Sequence, residues 1–235
     1  MRHAGILPLV GLMALGCSGG SGDDGPPPEG PDAAVLDGGA DAGDPPQGAG
    51  LRFRFRSEPD LPGKGDVGGE FDAVIERVAL DLVQVRAIGD SAPGDERTRA
   101  DRFTLDWADA SAIDLAFPQA PPGLYSQLLG EIMSYQIEGN LRIGDDRVPF
   151  RIHEDEARLA LAVALDGLML EPGMDRTVEI DVHLNDVVRV IDWDSVTQDG
   201  DGWLTVDPDG EAIDSVREAV EEAFEVENGG SSGEG

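Results

Sequence analysis

The sequence predicts a mainly β protein, an antiparallel β-sandwich (immunoglobulin/transthyretin-like) carrying one C-terminal amphipathic helix. Three observations lead there. Apolar residues alternate with polar ones at period two in at least five separate runs after residue 50, the signature of strands with one buried and one wet face. Turn sequences separate these runs at short spacing, which favours tight antiparallel connections over alternating β and α units. A single late segment, from Ile213 to Phe224, carries apolar residues at three- and four-residue spacing instead, the spacing of a helix.

In chain order, the first element is not part of the fold. Met1, Arg2 and His3 make a minimal basic start, Ala4 to Leu15 is an apolar run, and Gly16 and Cys17 follow. This order is that of a secretory signal over residues 1–16. The run is too short for a transmembrane helix, which needs about 20 residues. From Cys17 to Gly50 the chain is Gly, Pro, Asp and Ala, with seven acids and no base, and Val35 and Leu36 are its only large aliphatic residues. Burial cannot offset the entropy of ordering such a segment, and self-repulsion extends it. It reads as a disordered acidic tether, with a motif that folds on a partner as the alternative.

Residues 51–227 are long enough for one domain with its own core. Leu51, Phe53 and Phe55 alternate with Arg52, Arg54 and Arg56. Val74 to Ile88 is more continuously apolar and reads as a central, kinked strand. Phe103, Leu105 and Trp107 form the next run, followed by Tyr135 to Ile143 and by Val148, Phe150 and Ile152. Leu159 to Leu165 alternate with alanines, which suggests close packing on the second face, and Val178, Ile180, Val182 and Leu184 alternate with Glu179, Asp181 and His183. The turns are Ile88–Ser91, Pro121–Gly123, Gly144–Asp146 and Glu171–Asp175. The late helix places Ile213, Val216, Val220, Ala223 and Phe224 on one side. Asp214, Arg217, Glu218, Glu221, Glu222 and Glu225 fall on the other. Asp207 or Asp209 caps its start and Asn228-Gly229-Gly230 ends it. Residues 228–235 read as a disordered tail.

Charge narrows the partners. The formal charge is −31, and after residue 50 there remain 41 acids and 16 bases. Nucleic-acid binding needs Lys and Arg to neutralise phosphates, so this balance argues against it, and equally against a basic patch for anionic lipid. Cys17 is the sole cysteine, so no disulfide joins the sheets.

The stretch Ala14-Leu15-Gly16-Cys17 resembles the lipobox of bacterial lipoproteins, with Leu15 two residues before the cysteine and Ala14 in the position where the family usually has leucine. The resemblance implies lipidation of Cys17, by acyl chains such as palmitate on the thiol and on the new amino group. More than one chain makes the anchor stable. Ordinary secretory cleavage and an uncleaved anchor are the other readings of the same stretch. By the same resemblance, Ser18 after the cysteine points to the outer membrane of a Gram-negative envelope, on either its periplasmic or its surface face. The domain in turn resembles a group of uncharacterised β-sandwich domains of bacterial lipoproteins. The matching stretches are Val74–Ile88, Ile113-Asp114-Leu115, Pro122-Gly123-Leu124-Tyr125-Ser126, Ile137-Glu138-Gly139, Val148-Pro149-Phe150 and Ile191-Asp192-Trp193. That resemblance implies a fold and no catalytic residues.

No nucleophile elbow or zinc-helix motif occurs. His153 and His183 fall on outward strand faces, so no catalytic residue is assigned and the chain reads as no enzyme. The chemical lead is the acidic loop with Asp192, Asp194, Asp199, Asp201, Asp207 and Asp209, interrupted by Gly200, Gly202 and Gly210, because Ca²⁺ takes six to eight oxygens from such segments. EF-hand spacing is absent: with Asp199 and Asp201 at loop positions three and five, Thr197 and Pro208 occupy the first and twelfth. Two functions follow. One is a non-enzymatic, membrane-anchored cell-envelope lipoprotein presenting the sandwich for binding a protein or glycan or for envelope architecture. The other is a Ca²⁺-dependent carbohydrate-binding or hydrolytic domain that stacks its ligand on Trp193 and Trp203. Its competing reading makes the loop a solvated connection and the tryptophans packing residues.

Overall fold

A computed structural model describes residues 49–227 apart from 62–64, 68–71, 90–94, 109 and 211. The expected signal peptide, Cys17, nearly all of the tether, the Ile88–Ser91 turn beyond Gly89 and the 228–235 tail lie outside the described residues.

The chain is mainly β, with ten strands and two α-helices among the described residues. The strands are β1 (Ala49–Glu58), β2 (Ala73–Gly89), β3 (Arg99–Asp106), β4 (Ala112–Ala120), β5 (Gly123–Ile143), β6 (Asp146–Glu154), β7 (Leu159–Leu170), β8 (Arg176–His183), β9 (Leu204–Val206) and β10 (Phe224–Val226). The helices are α1 (Leu184–Arg189) and α2 (Ile213–Glu222). They build two open sheets. One has the order β10-β8-β1-β4; the other has the order β3-β2-β5-β6-β9, with β7 on β5.

Both sheets are mixed, which corrects the all-antiparallel expectation. β1 pairs with β8 in parallel, Phe53 opposite Val178, and β6 pairs with β9 in parallel, Phe150 opposite Leu204. Period-two alternation specifies which face of a strand is buried and says nothing of the direction of its neighbour. Parallel neighbours need long crossovers, and β1 and β8 are separated by most of the domain.

The strand faces follow the alternation. Leu51, Phe53 and Phe55 are buried, and their arginine neighbours form a ladder of ion pairs outside: Arg52 and Arg54 to Asp114 of β4 at 3.1 and 2.9 Å, Arg56 to Glu179 and Asp181 of β8 at 3.1 and 3.2 Å. The buried faces of both sheets and both helices contribute to one hydrophobic cluster. Phe55 of the first sheet lies 5.8 Å from Phe103 of the second and 6.4 Å from Phe224, ring centre to ring centre.

The expected kink in β2 is a register slip between Val83 and Arg86, with Gln84 at φ 52°. β5 is far longer than the Tyr135–Ile143 run that announces it. Its first half pairs with β7 and its second half with β6 along the same edge, while β2 runs along the other. Tyr125, just after the Pro121–Gly123 turn, is buried, and its hydroxyl donates to the Pro121 carbonyl at 2.7 Å. The alanines of β7 are exposed, contrary to the close packing expected of them, while Leu159, Leu161, Val163 and Leu165 between them are buried. α2 covers part of that strand's free edge, where Glu221 accepts the Ala160 amide at 2.8 Å.

Gly139, in the second half of β5, sits where two neighbours leave no room. A Cβ there would lie 2.1 Å from the Val74 carbonyl oxygen and 2.8 Å from the Phe150 ring. Gly139→Ala is expected to lower stability by about 1–3 kcal/mol through overpacking, read from the denaturant midpoint; an unchanged midpoint would mean that the neighbours yield.

Two local expectations fail at the C-terminal end. α2 stops at Glu222, and Phe224 opens β10, which pairs with β8, Phe224 opposite Val182. The residue preceding α2 is Ala212, with no side-chain cap, so neither Asp207 nor Asp209 fills that role. α1 was not expected: Leu184 begins it rather than ending the strand, and Leu184, Val187 and Val188 are buried on it. No described helix is long and apolar enough to cross a membrane.

Candidate functional site

The acidic loop connects α1 to β9 and β9 to α2. Its aspartates shape turns. Asp199 Oδ1 accepts the backbone amides of Asp201 and Trp203, both at 2.9 Å, and Oδ2 accepts the Thr205 hydroxyl at 3.2 Å. These bonds, the Trp203 amide foremost, hold its carboxyl below the usual aspartate range. They select the ionised form without a metal. Asp207 Oδ1 accepts the Asp209 amide at 3.1 Å, and the backbone carbonyl of Asp192 accepts the Ser195 hydroxyl at 2.6 Å. Asp194, Asp201, Asp207 and Asp209 are exposed. Among the described residues no three His, Cys, Asp or Glu side chains form a group able to hold a metal ion. Side chains that satisfy the amides of their own turns behave as Asp commonly does in loops, and the six aspartates stay spread along the segment.

The two tryptophans part company. Trp193 is buried, its indole N–H donating to the Val188 carbonyl at 3.1 Å and its ring 5.0 Å from that of Phe150. It is a core residue that ties the segment after α1 to the second sheet, which removes it from any stacking platform. Trp203 is half-buried, and the guanidinium of Arg151 lies 4.6 Å from its ring centre. A cation held over the indole engages its π face from within the chain. Arg151 is in turn oriented by Glu138, at 2.6 Å. Burial works against ionisation of Glu138, yet Arg151 and Gln136 hold its carboxyl below the usual range.

His153 and His183 both lie out of phase with the buried residues of their strands and are partly exposed, as their positions in the alternation imply. His183 stands between two carboxylates, Glu58 at 2.6 Å from Nδ1 and Glu225 at 3.4 Å from Nε2.

The most buried charged group among the described residues was not anticipated. Glu154 closes β6 at 4% exposure, facing inward. Arg217 of α2 grips it with Nη2 on Oε1 at 2.5 Å and Nε on Oε2 at 3.1 Å, and the Tyr135 hydroxyl donates to Oε2 at 3.0 Å. The Arg217 bonds hold the Glu154 carboxyl below its usual range against the opposing effect of burial, and the Tyr135 bond adds to them. Burial, then the charge of Glu154, pushes the Tyr135 phenol well above its ordinary range. Both carboxylate oxygens are engaged, so the group docks a helix and offers no free base. The signal was present: Glu154 continues the phase of Phe150 and Ile152, and Arg217 stands four residues after Ile213, on the apolar side of α2. Placing Arg217 with the outward acids is thereby corrected.

No protein-family model matches the chain. No curated protein matches it. Among solved structures it is similar to MbnP from Methylosinus trichosporium, 11% identical, with a TM-score of 0.42, over 70% of this chain and 86% of that one.

Proposed function

We propose that the chain is a lipid-anchored protein of the cell envelope, non-enzymatic, which holds a β-sandwich clear of the outer membrane for binding or for envelope architecture. The observation that carries the reading is the order of its segments: an apolar run closed by Gly16 and Cys17, an acidic Gly/Pro/Asp/Ala spacer, then a strand-rich domain with no cysteine. Acyl chains on Cys17 would supply the attachment, and a spacer of about 30 residues with no core of its own would give the reach. The face-to-face arrangement is supported by the shared hydrophobic cluster and by the Phe55–Phe103 pair that links the sheets. The outward arginine–carboxylate ladder of β1, β4 and β8 fits a sheet face that remains in water.

The test is the full chain expressed in a Gram-negative host fed labelled palmitate. Label and membrane retention are expected in the wild type and lost in Cys17→Ala. Label retained by the variant would overturn the anchor.

A further inference from the structure

We propose that His183 is a proton-operated latch that fastens β10, the last described strand, to the first sheet. β10 is only three residues long and pairs with β8 alone. Its backbone attachment includes the His183 amide, which donates to the Ala223 carbonyl at 2.8 Å. The imidazole of the same residue stands between strands on either side of β8. Glu58, at the end of β1, brings Oε2 to 2.6 Å from Nδ1, and Glu225 of β10 brings Oε2 to 3.4 Å from Nε2.

A neutral imidazole has one N–H and one bare acceptor nitrogen, so it can satisfy one of these carboxylates while its lone pair faces the other. The imidazolium has two N–H groups and a positive charge and can serve both. Protonation therefore adds a side-chain tie between β8 and β10 without moving the backbone, and histidine is the side chain that changes charge between about pH 5 and 8. The charged groups sharing this face are otherwise engaged. Arg56 of β1 holds Glu179 and Asp181 of β8 at 3.1 and 3.2 Å and Glu227, just beyond β10, at 2.6 Å, while Asp186 of α1 pairs with Arg189 at 3.3 Å. Glu58 and Glu225 remain as the carboxylates that face the ring. They lie on opposite nitrogens, so only a ring that carries a proton on each nitrogen can donate to both.

The second N–H exists only in the imidazolium, so the tie to both carboxylates is present at low pH and absent at high pH. The pairs are largely exposed and individually weak, so the effect is on opening of β10 rather than on the whole domain. Amide hydrogen exchange of residues 224–227 in the full chain, corrected for intrinsic rates, is expected to show about two- to fivefold more protection near pH 5.5 than near pH 8. His183→Gln should remove that step and leave β10 formed, and Glu225→Gln should remove it while keeping the histidine. An equal step in either variant, or no step in the wild type, would overturn the latch.

Discussion

Trp193→Ala is expected to lower the stability of the domain by about 3–5 kcal/mol, whereas the same change at Trp203 should cost far less. A buried tryptophan replaced by alanine loses its transfer free energy and leaves a cavity that a packed core fills only partly. Trp193 is 7% exposed, rests on Phe150 and donates to Val188. Its removal should loosen both the acidic loop and the end of β6. Trp203 is half-buried at the margin of the second sheet, with Arg151 as its ring partner. Chemical denaturation of the two variants separates these roles. Equal, small effects would return Trp193 to the surface and reopen its candidacy as a stacking residue.

The second large effect lies at Glu154. Glu154→Ala removes a nearly buried carboxylate and leaves the Tyr135 hydroxyl without its acceptor, while Arg217, about a third exposed, keeps Asp214 at 3.2 Å; the loss of these hydrogen bonds is expected to cost about 1–3 kcal/mol. Glu154→Leu restores packing volume and should recover part of the loss. The pair also imposes a pH dependence. Arg217 and Tyr135 hold the carboxyl of the folded state below its ordinary value of 4.5, so the unfolded chain binds the proton more readily. The contribution is full above about pH 4.5 and fades as pH falls through the lower folded value. Wild type and Glu154→Leu should therefore differ most near neutrality and converge in acid. A constant difference across that range would mean that the carboxylate stabilises by shape alone.

Much of the strand content was legible because a half-buried strand writes its burial into adjacent residues. Leu51, Phe53 and Phe55 against three arginines needed no tertiary knowledge, and neither did the Pro-Gly turn before Tyr125. What alternation left out was pairing. The parallel partnership of β1 with β8 depends on the route of the intervening chain. The first half of β5 was obscured where its pairing slips out of register, between Tyr125 and Gln127 and opposite Val83–Arg86. Phe224 kept helical spacing with Val220 yet became a strand, because the open edge of β8 offered backbone partners there. α1 escaped notice because its β-branched valines read locally as strand.

The acidic loop is the opposite case. Six aspartates among glycines point to calcium by composition, and Asp199 instead organises its own turn. Trp193, flanked by Asp192 and Asp194, is open in sequence to a stacking or a packing role, and the structure gives it the packing one. Local sequence reports which side chains are chemically able to act; convergence is a property of the folded chain, since groups distant in sequence meet only when strands have chosen their neighbours.

What the amino-acid sequence determined by itself is the order of the parts: an apolar run ending at Cys17, an acidic Gly/Pro/Asp/Ala segment, the period-two strands and one amphipathic helix. These are local patterns of hydropathy, charge and backbone preference, and local physics suffices to read them. The tertiary structure alone decided the mixed sheets, the burial of Trp193, the Glu154–Arg217–Tyr135 dock and the placing of His183 between Glu58 and Glu225. Each of these joins residues from separate elements, and their energies exist only after the entropy of bringing those elements together has been overcome.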